Sequence, residues 1–285
     1  MSATLGLVTD TIPFSNVDGP GNRYVVFLQG CNFDCVACHN PYTIGTCNDC
    51  GLCVERCPSG ALHVDDRGRI AFDVKACAGS NVCIDTCPQD ATPKARWRRD
   101  TDVLAEIRAL APFLSGVTVS GGEATRQPRF VRALFHAVKT DAVMRRLTCF
   151  IDSNGHAEAA TWRLLAPVTD GAMIDLKCLD DTIHRQMTGQ SNELVLRSLV
   201  ELERRHLLHE VRLLVVPGLN DAPDIIARTG AWLAALDPDV RVKLIGFRCH
   251  GVRPTSLIGR EPSRDELEAH AARLADAGLR QLTLV

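Results

Sequence analysis

Seven short apolar runs recur along the chain, at 24–28, 117–120, 147–152, 172–176, 211–216, 242–247 and 281–285, with amphipathic stretches between them. Apolar positions at helical spacing predict helices over 101–114, 128–141, 193–206, 222–235 and 263–277, several opened by Thr, Asp, Asn or Ser capping residues. Alternation of strand and helix predicts a parallel α/β fold. Runs such as Leu213-Leu214-Val215-Val216 lack polar alternation, which suits strands buried on both faces, in a barrel wall or a doubly wound sheet. In either architecture ligands gather at the carboxyl ends of the strands. The polar motifs Ser120-Gly121-Gly122-Glu123, Asp152-Ser153-Asn154-Gly155, Asp175-Leu176-Lys177 and Pro217-Gly218-Leu219-Asn220-Asp221 each follow such a run.

The pattern breaks over 45–99, where apolar periodicity is weak and two cysteine groups, 47–57 and 77–87, form an approximate repeat, each closing on Cys-Pro. This predicts an insert over 45–99 dividing a core of 1–44 and 100–285. Of the 13 cysteines, only Cys149, Cys178 and Cys249 lie outside the stretch 31–87. An odd number cannot be fully paired as disulfides, and a reducing cytosol would not keep such bridges, so metal is the better explanation. The 285 residues are 46% hydrophobic and 23% charged, with formal net charge −2, which gives no electrostatic footprint for nucleic acid or an anionic membrane. No apolar run approaches the roughly 18 residues a membrane helix needs, and the start of the chain does not read as a signal peptide. A cytoplasmic protein is expected, with no nucleic-acid or membrane partner.

Within the insert, Cys47-x2-Cys50-x2-Cys53-x3-Cys57-Pro58 has the spacing of bacterial ferredoxins, in which the fourth cysteine reaches across to the other cubane cluster. In the second group Cys77, Cys83 and Cys87 keep register, but the second position is Ser80. Crossover would give one complete set, Cys47, Cys50, Cys53 and Cys87, and one short set, Cys57, Cys77 and Cys83. The iron lacking thiolate would take the Ser80 oxygen, water or an outside ligand, or be absent. A zinc ribbon is the competing reading, although zinc motifs usually separate their Cys-x2-Cys pairs by longer loops.

Cys31-x3-Cys35-x2-Cys38 supplies three thiolates to what would be a cubane, leaving one iron open to a substrate or cofactor. This spacing resembles the signature of radical S-adenosylmethionine enzymes. The segment Asp18-Gly19-Pro20-Gly21-Asn22-Arg23, the runs Phe27-Leu28-Gln29-Gly30-Cys31 and Cys38-His39-Asn40-Pro41, the insert behind them, and Met187-Thr188-Gly189 resemble glycyl radical enzyme activating enzymes, most of all the YjjW-type subgroup. The resemblance implies a partial parallel (β/α)6-type TIM barrel carrying a ferredoxin-like iron–sulfur domain.

It also implies site residues. Ala37, Cys38 and His39 would lie beside S-adenosylmethionine; position 37 is often aromatic in the superfamily, so adenine stacking must come from elsewhere. Gly121 and Gly122, lacking Cβ, would let backbone approach the methionine portion, with Glu123 or a neighbour facing its amino group. Asp152, Ser153, Leu176 and Lys177 would complete the cofactor site, Lys177 meeting the carboxylate. Asp152, Asp175 and the Met173 carbonyl resemble a monovalent-cation site. His250 would contact the ribose or methionine portion, though Arg248 interrupts the family's aromatic-His order. Asp18 and Arg23 are open to two readings, docking of a target loop or a solvated charged turn.

The implied reaction is reductive cleavage of S-adenosylmethionine to methionine and a 5′-deoxyadenosyl radical, which takes hydrogen from a backbone glycine of a partner enzyme. A flavodoxin or ferredoxin-type donor would supply electrons through the insert. No side-chain acid or base is required; placement does the work. Two rivals stand beside this reading: a radical enzyme acting on a small molecule or peptide, and an electron-transfer protein that binds no S-adenosylmethionine.

Overall fold

The computed structural model describes residues 3–255 and 257–285. Its body is one nine-stranded sheet built from β1 (Leu5–Ser15), β2 (Arg23–Leu28), β5 (Arg96–Arg99), β6 (Gly116–Gly121), β7 (Thr148–Ser153), β8 (Gly171–Asp175), β9 (Leu208–Val215), β10 (Arg241–Gly246) and β11 (Gln281–Leu284). The remaining strands, β3 (Leu62–Val64) and β4 (Ile70–Phe72), form a separate hairpin. The order β11-β10-β9-β8-β7-β6-β2-β1-β5 is parallel from β11 to β2, while β1 and β5 extend it antiparallel. Among the described residues its two edges do not pair with each other, as in a partial barrel.

Helices α2 (Asp100–Leu110), α3 (Pro128–Thr140), α4 (Ala159–Leu165), α5 (Asp181–Thr188), α6 (Glu193–Arg204), α7 (Pro223–Leu236) and α8 (Arg264–Asp276) connect the parallel strands, while α1 (Val82–Asp85) is a single turn outside the body. In α3, Phe130, Val131, Leu134, Phe135 and Val138 are buried, one helical face laid on the sheet. Pro128 and Pro223 open α3 and α7, where the missing N–H costs nothing. A reciprocal Ser263–Glu266 capping box starts α8.

Each of the seven predicted strands is found to within a few residues, whereas β1 is an element the apolar pattern did not predict. Half its residues face solvent, because β1 lies outside the parallel wall and carries mixed rather than continuous apolar character. Arg23 turns out to be neither docking residue nor solvated charge. It is fully buried at the amino end of β2 and donates to the Pro20, Val117 and Thr148 carbonyls and to the Thr118 and Thr148 hydroxyls, stacking 4.4 Å over Phe150. Burial lowers its pKa to about 10.

The inserted segment leaves and re-enters at one place. A Thr43–Ala91 bridge and the Gly45 N–H donating to the Asp90 carbonyl close its neck. Arg96–Arg99, placed in the insert by the sequence pattern, is β5 and pairs with β1 from Leu5–Arg99 to Val8–Arg96. The segment's core is small: Cys53, Leu62 and Cys83, backed by Ile70 and Phe72 of the hairpin.

Candidate functional site

At the carboxyl end of β2 the chain folds into a loop carrying Cys31, Cys35 and Cys38. The Gln29 side chain donates to the Tyr42 and Gly45 carbonyls, and the Gly30 and Cys31 N–H groups donate to Thr43 and Ile44, so the loop is tied to itself. It is also tied to the end of α5, where the Asp34 and Val36 N–H groups donate to the Thr188 and Met187 carbonyls. Phe33 is buried between the His156 and His184 rings, edge-on at 5.4 Å to each. The Met187-Thr188-Gly189 turn thus holds the cysteine loop by backbone, with Gly189 left-handed (φ +78) to end the helix.

The three thiols share a cavity of about 330 Å³. Among the described residues no three His, Cys, Asp or Glu side chains converge as a single ion would require. Thiols spread around a space, rather than aimed at a point, fit a multi-atom iron–sulfur group. Burial pushes Cys35 up to about 12 and Cys31 up to about 11, so both are thiols at neutral pH and loading with iron must displace their protons.

The opposite wall comes from the strand ends. Gly121 and Gly122 line the cavity, and their lack of side chains also answers a packing need. A Cβ on Gly121 (φ +119) would lie 2.1 Å from the Leu28 nitrogen, and one on Gly122 would lie 2.5 Å from the Gly30 and Thr43 carbonyl oxygens. They let the end of β6 press against the end of β2 and the cysteine loop. Glu123 does not face the cavity. It is 1% exposed, and its carboxylate accepts from the Thr125 N–H and hydroxyl, the Ser153 hydroxyl and the Asn154 N–H. Burial raises its pKa despite these bonds. Its work is to fix Asn154, whose side-chain amide donates to Asn32 Oδ1 at 2.8 Å and points its other hydrogen at Cys31 Sγ, 3.7 Å away.

Lys177 lines the cavity with its Nζ 2.7 Å from Asp175. Burial pulls its pKa down, but the Asp175 carboxylate outweighs this and holds it above the ordinary lysine value, so it is charged. Beside it, Arg212 bonds Asp152 Oδ1 at 2.9 Å and reaches Met173 Sδ at 3.1 Å. Ser120 donates to the other Asp152 oxygen at 2.9 Å. Arg212, opposite Asp175 across the β8–β9 ladder, thus brings a positive charge of the protein's own to Asp152, Met173 and Asp175, the residues that resemble a monovalent-cation site. Burial lowers the Arg212 pKa and the two carboxylates raise it, with a net rise.

The radical SAM superfamily model matches residues 25–228. The chain belongs to the radical SAM superfamily. The isethionate sulfite-lyase activating enzyme of Desulfovibrio desulfuricans is 30% identical over 94% of this chain and 91% of its own. The (2S)-3-sulfopropanediol sulfolyase activating enzyme of Bilophila wadsworthia is 32% identical over 78% of each. In fold alone, this radical SAM chain superposes on the crystal structure of QueE from Escherichia coli with TM-score 0.57 and 15% identity, over 99% of this chain and 94% of that one.

Other expected cofactor residues divide by position in this radical SAM enzyme. Ala37, Cys38 and His39 line the cavity, His39 with its ring 3.0 Å from the Arg248 carbonyl. Leu176 does not: it is 1% exposed and belongs to the apolar core, because the strand alternation that turns Asp175 and Lys177 inward turns it outward. Ser153 is buried against Glu123, and Asp152, which is not among the lining residues, pairs with Arg212. His250 is exposed and off the cavity, since β10 ends at Gly246, Phe247 packs against His39, and the chain then turns into solvent. Asn154, Arg212 and Met187 line the cavity without having been singled out as cofactor residues. Only the Asn154 and Met187 motifs carried a signal, each as part of a run following a strand or helix.

Arg253 also escaped notice. From the loop after β10 it donates to Asp90 in the neck of the insert at 2.7 Å, to the Cys35 carbonyl at 3.2 Å, and to Asp34. Within the insert one cavity is lined by Cys47, Cys50, Cys53 and Cys87, with Ile70 and Pro93 around them. A second is lined by Cys57, Cys77, Cys83, Ser80 and Lys94. Cys178 and Cys149 are buried and Cys249 is exposed.

Proposed function

We propose that this radical SAM enzyme is a glycyl radical enzyme activating enzyme, with a protein as its substrate. The observation that carries this is the cavity shared by Cys31, Cys35, Cys38 and Lys177, in a chain whose full-length relatives are named for that activity. When bound by these thiolates, a [4Fe–4S] cluster supplies the electron that splits S-adenosylmethionine into methionine and a 5′-deoxyadenosyl radical, the species that takes a hydrogen atom from a glycine α-carbon. The chain's residues place the reactants. Lys177, steadied by Asp175, offers an ammonium to the cofactor carboxylate. The Gly121–Gly122 backbone forms the wall opposite the cysteine loop, and Ala37 and His39 border the remaining volume.

The insert is read as ferredoxin-like, Cys47, Cys50, Cys53 and Cys87 holding one further cluster and Cys57, Cys77 and Cys83 contributing to another. Electrons from a flavodoxin or ferredoxin-type donor would pass through it. A monovalent cation is not part of this reading, because Arg212 and Lys177 already balance Asp152 and Asp175.

The test is electron paramagnetic resonance of candidate glycyl radical enzymes mixed anaerobically with this protein, reductant and S-adenosylmethionine. A glycyl doublet should arise in one of them. Formation of 5′-deoxyadenosine that follows a small molecule and ignores every such enzyme would overturn the reading.

A further inference from the structure

The two cysteine cavities of the insert differ in one position and one charge. Around Cys47, Cys50, Cys53 and Cys87 the remaining lining contains no charged side chain. Around Cys57, Cys77 and Cys83 the place of a fourth thiol is held by Ser80, and Lys94 lies in the same wall. Lys94 is half-buried; its Nζ donates to the Ser80 carbonyl at 3.2 Å and to Asn81 Oδ1 at 3.4 Å, so an ammonium is fixed beside the residue that departs from the pattern.

The orientation of the Ser80 hydroxyl is also informative. Cys31 Sγ accepts from the N–H two residues on at 3.3 Å, and Cys47 Sγ does so at 3.4 Å. Ser80 Oγ accepts from the Val82 N–H at 3.2 Å. A hydrogen bond of this kind supports a negatively charged ligand atom. Ser80 therefore repeats the local arrangement of two cysteines whose sulfurs line the other cavities, and its own side chain lines this one.

We propose that Ser80 closes the second insert cluster as an alkoxide ligand, with Lys94 as its fixed counter-charge. As the Fe–O bond forms, the Ser80 O–H bond breaks and its proton leaves to solvent. No electron moves, and three thiolates and one alkoxide carry the same charge as four thiolates. Oxygen is the harder donor and favours ferric iron over ferrous. The inference rests on the two-cluster reading of the insert given above.

The test is anaerobic reconstitution with 57Fe of the full-length wild type and its Ser80→Ala, Ser80→Cys and Lys94→Met variants, read by iron and sulfide content, Mössbauer spectroscopy and redox titration. The wild type should hold about twelve irons, three cubanes of four. Ser80→Ala should hold about eleven and show a three-iron cluster; Ser80→Cys should hold about twelve, with one iron site changed and a higher midpoint potential. Lys94→Met should keep the iron and lower that potential. Twelve irons with Ser80→Ala unchanged from wild type would overturn the serine ligand and leave the two-cluster insert standing. Eight irons in the wild type would overturn both. Should Ser80→Ala lose the whole cluster, Ser80→Cys decides, because spectra identical to wild type are incompatible with exchange of a ligand atom.

Discussion

The barrel body and the insert solve the same problem, ordering a chain around cysteines, by opposite means. The body buries a continuous core running from Val8 to Leu279, including Trp162, Phe130, Phe135 and Met144, and its cysteine loop hangs from finished strands. The insert buries Cys53, Leu62 and Cys83 around two three-residue strands and a one-turn helix. So small a core cannot offset the entropy of ordering some fifty residues, which costs roughly 1–2 kcal/mol each for the backbone alone. In the body, metal is added to a folded site. On the two-cluster reading proposed for the insert, metal binding and folding there are one event.

Replacing Cys35 with Ala tests the separation most severely. Reductive cleavage of S-adenosylmethionine should be abolished while about eight of twelve irons remain in the insert. Cleavage at the wild-type rate would remove the loop from the chemistry. Next in size is the response to iron removal. After anaerobic chelation, limited proteolysis should cut within 46–89 while the body keeps its far-ultraviolet circular dichroism; equal protection of both regions would erase the distinction drawn here.

A smaller effect belongs to the amide beside Cys31. Asn154→Ala removes an N–H directed at a ligand sulfur, so the midpoint potential of the loop cluster should fall by about 20–65 mV, the one-electron equivalent of a hydrogen bond worth about 0.5–1.5 kcal/mol. The insert potentials should not move, and a common shift in all clusters would argue for a global change.

The smallest is a pH effect in the body. Burial lowers the His184 pKa, and its ring packs against Phe33 and bonds the Gln190 carbonyl at 2.9 Å. The folded state binds this proton less readily than the unfolded state, so the stabilisation is complete above the unfolded value of about 6.5 and is lost as pH falls below it. Melting temperature should therefore drop more between pH 7 and pH 5 in the wild type than in His184→Asn; parallel curves would discard the assignment.

The parallel wall was legible because strands such as Arg23–Leu28 and Gly171–Asp175 are covered on both faces along almost their whole length, where polar alternation is not tolerated. β1 was not, since a strand half in water has little apolar signature. At the site, residues placed by spacing alone, Cys31, Cys35, Cys38 and the Asp175–Lys177 pair, do line one cavity. Residues whose role depended on side-chain direction fared differently. Leu176 points into the core, Glu123 is consumed by hydrogen bonds from its own turn and from Ser153 and Asn154, and His250 lies beyond a bend that no periodicity announces. Arg212 was hidden by its surroundings, an isolated charge in an apolar run, although an unpartnered charge there would be costly and so demanded carboxylates nearby.

The neck formed by Thr43, Gly45, Asp90 and Ala91 brings departure and return within a hydrogen bond of each other. To the barrel, the whole cysteine-rich excursion is therefore equivalent to a tight reversal of the chain, and a handful of residues could span the same gap. A cysteine-rich segment can be lengthened, duplicated or shed at this junction without rethreading a strand of the barrel.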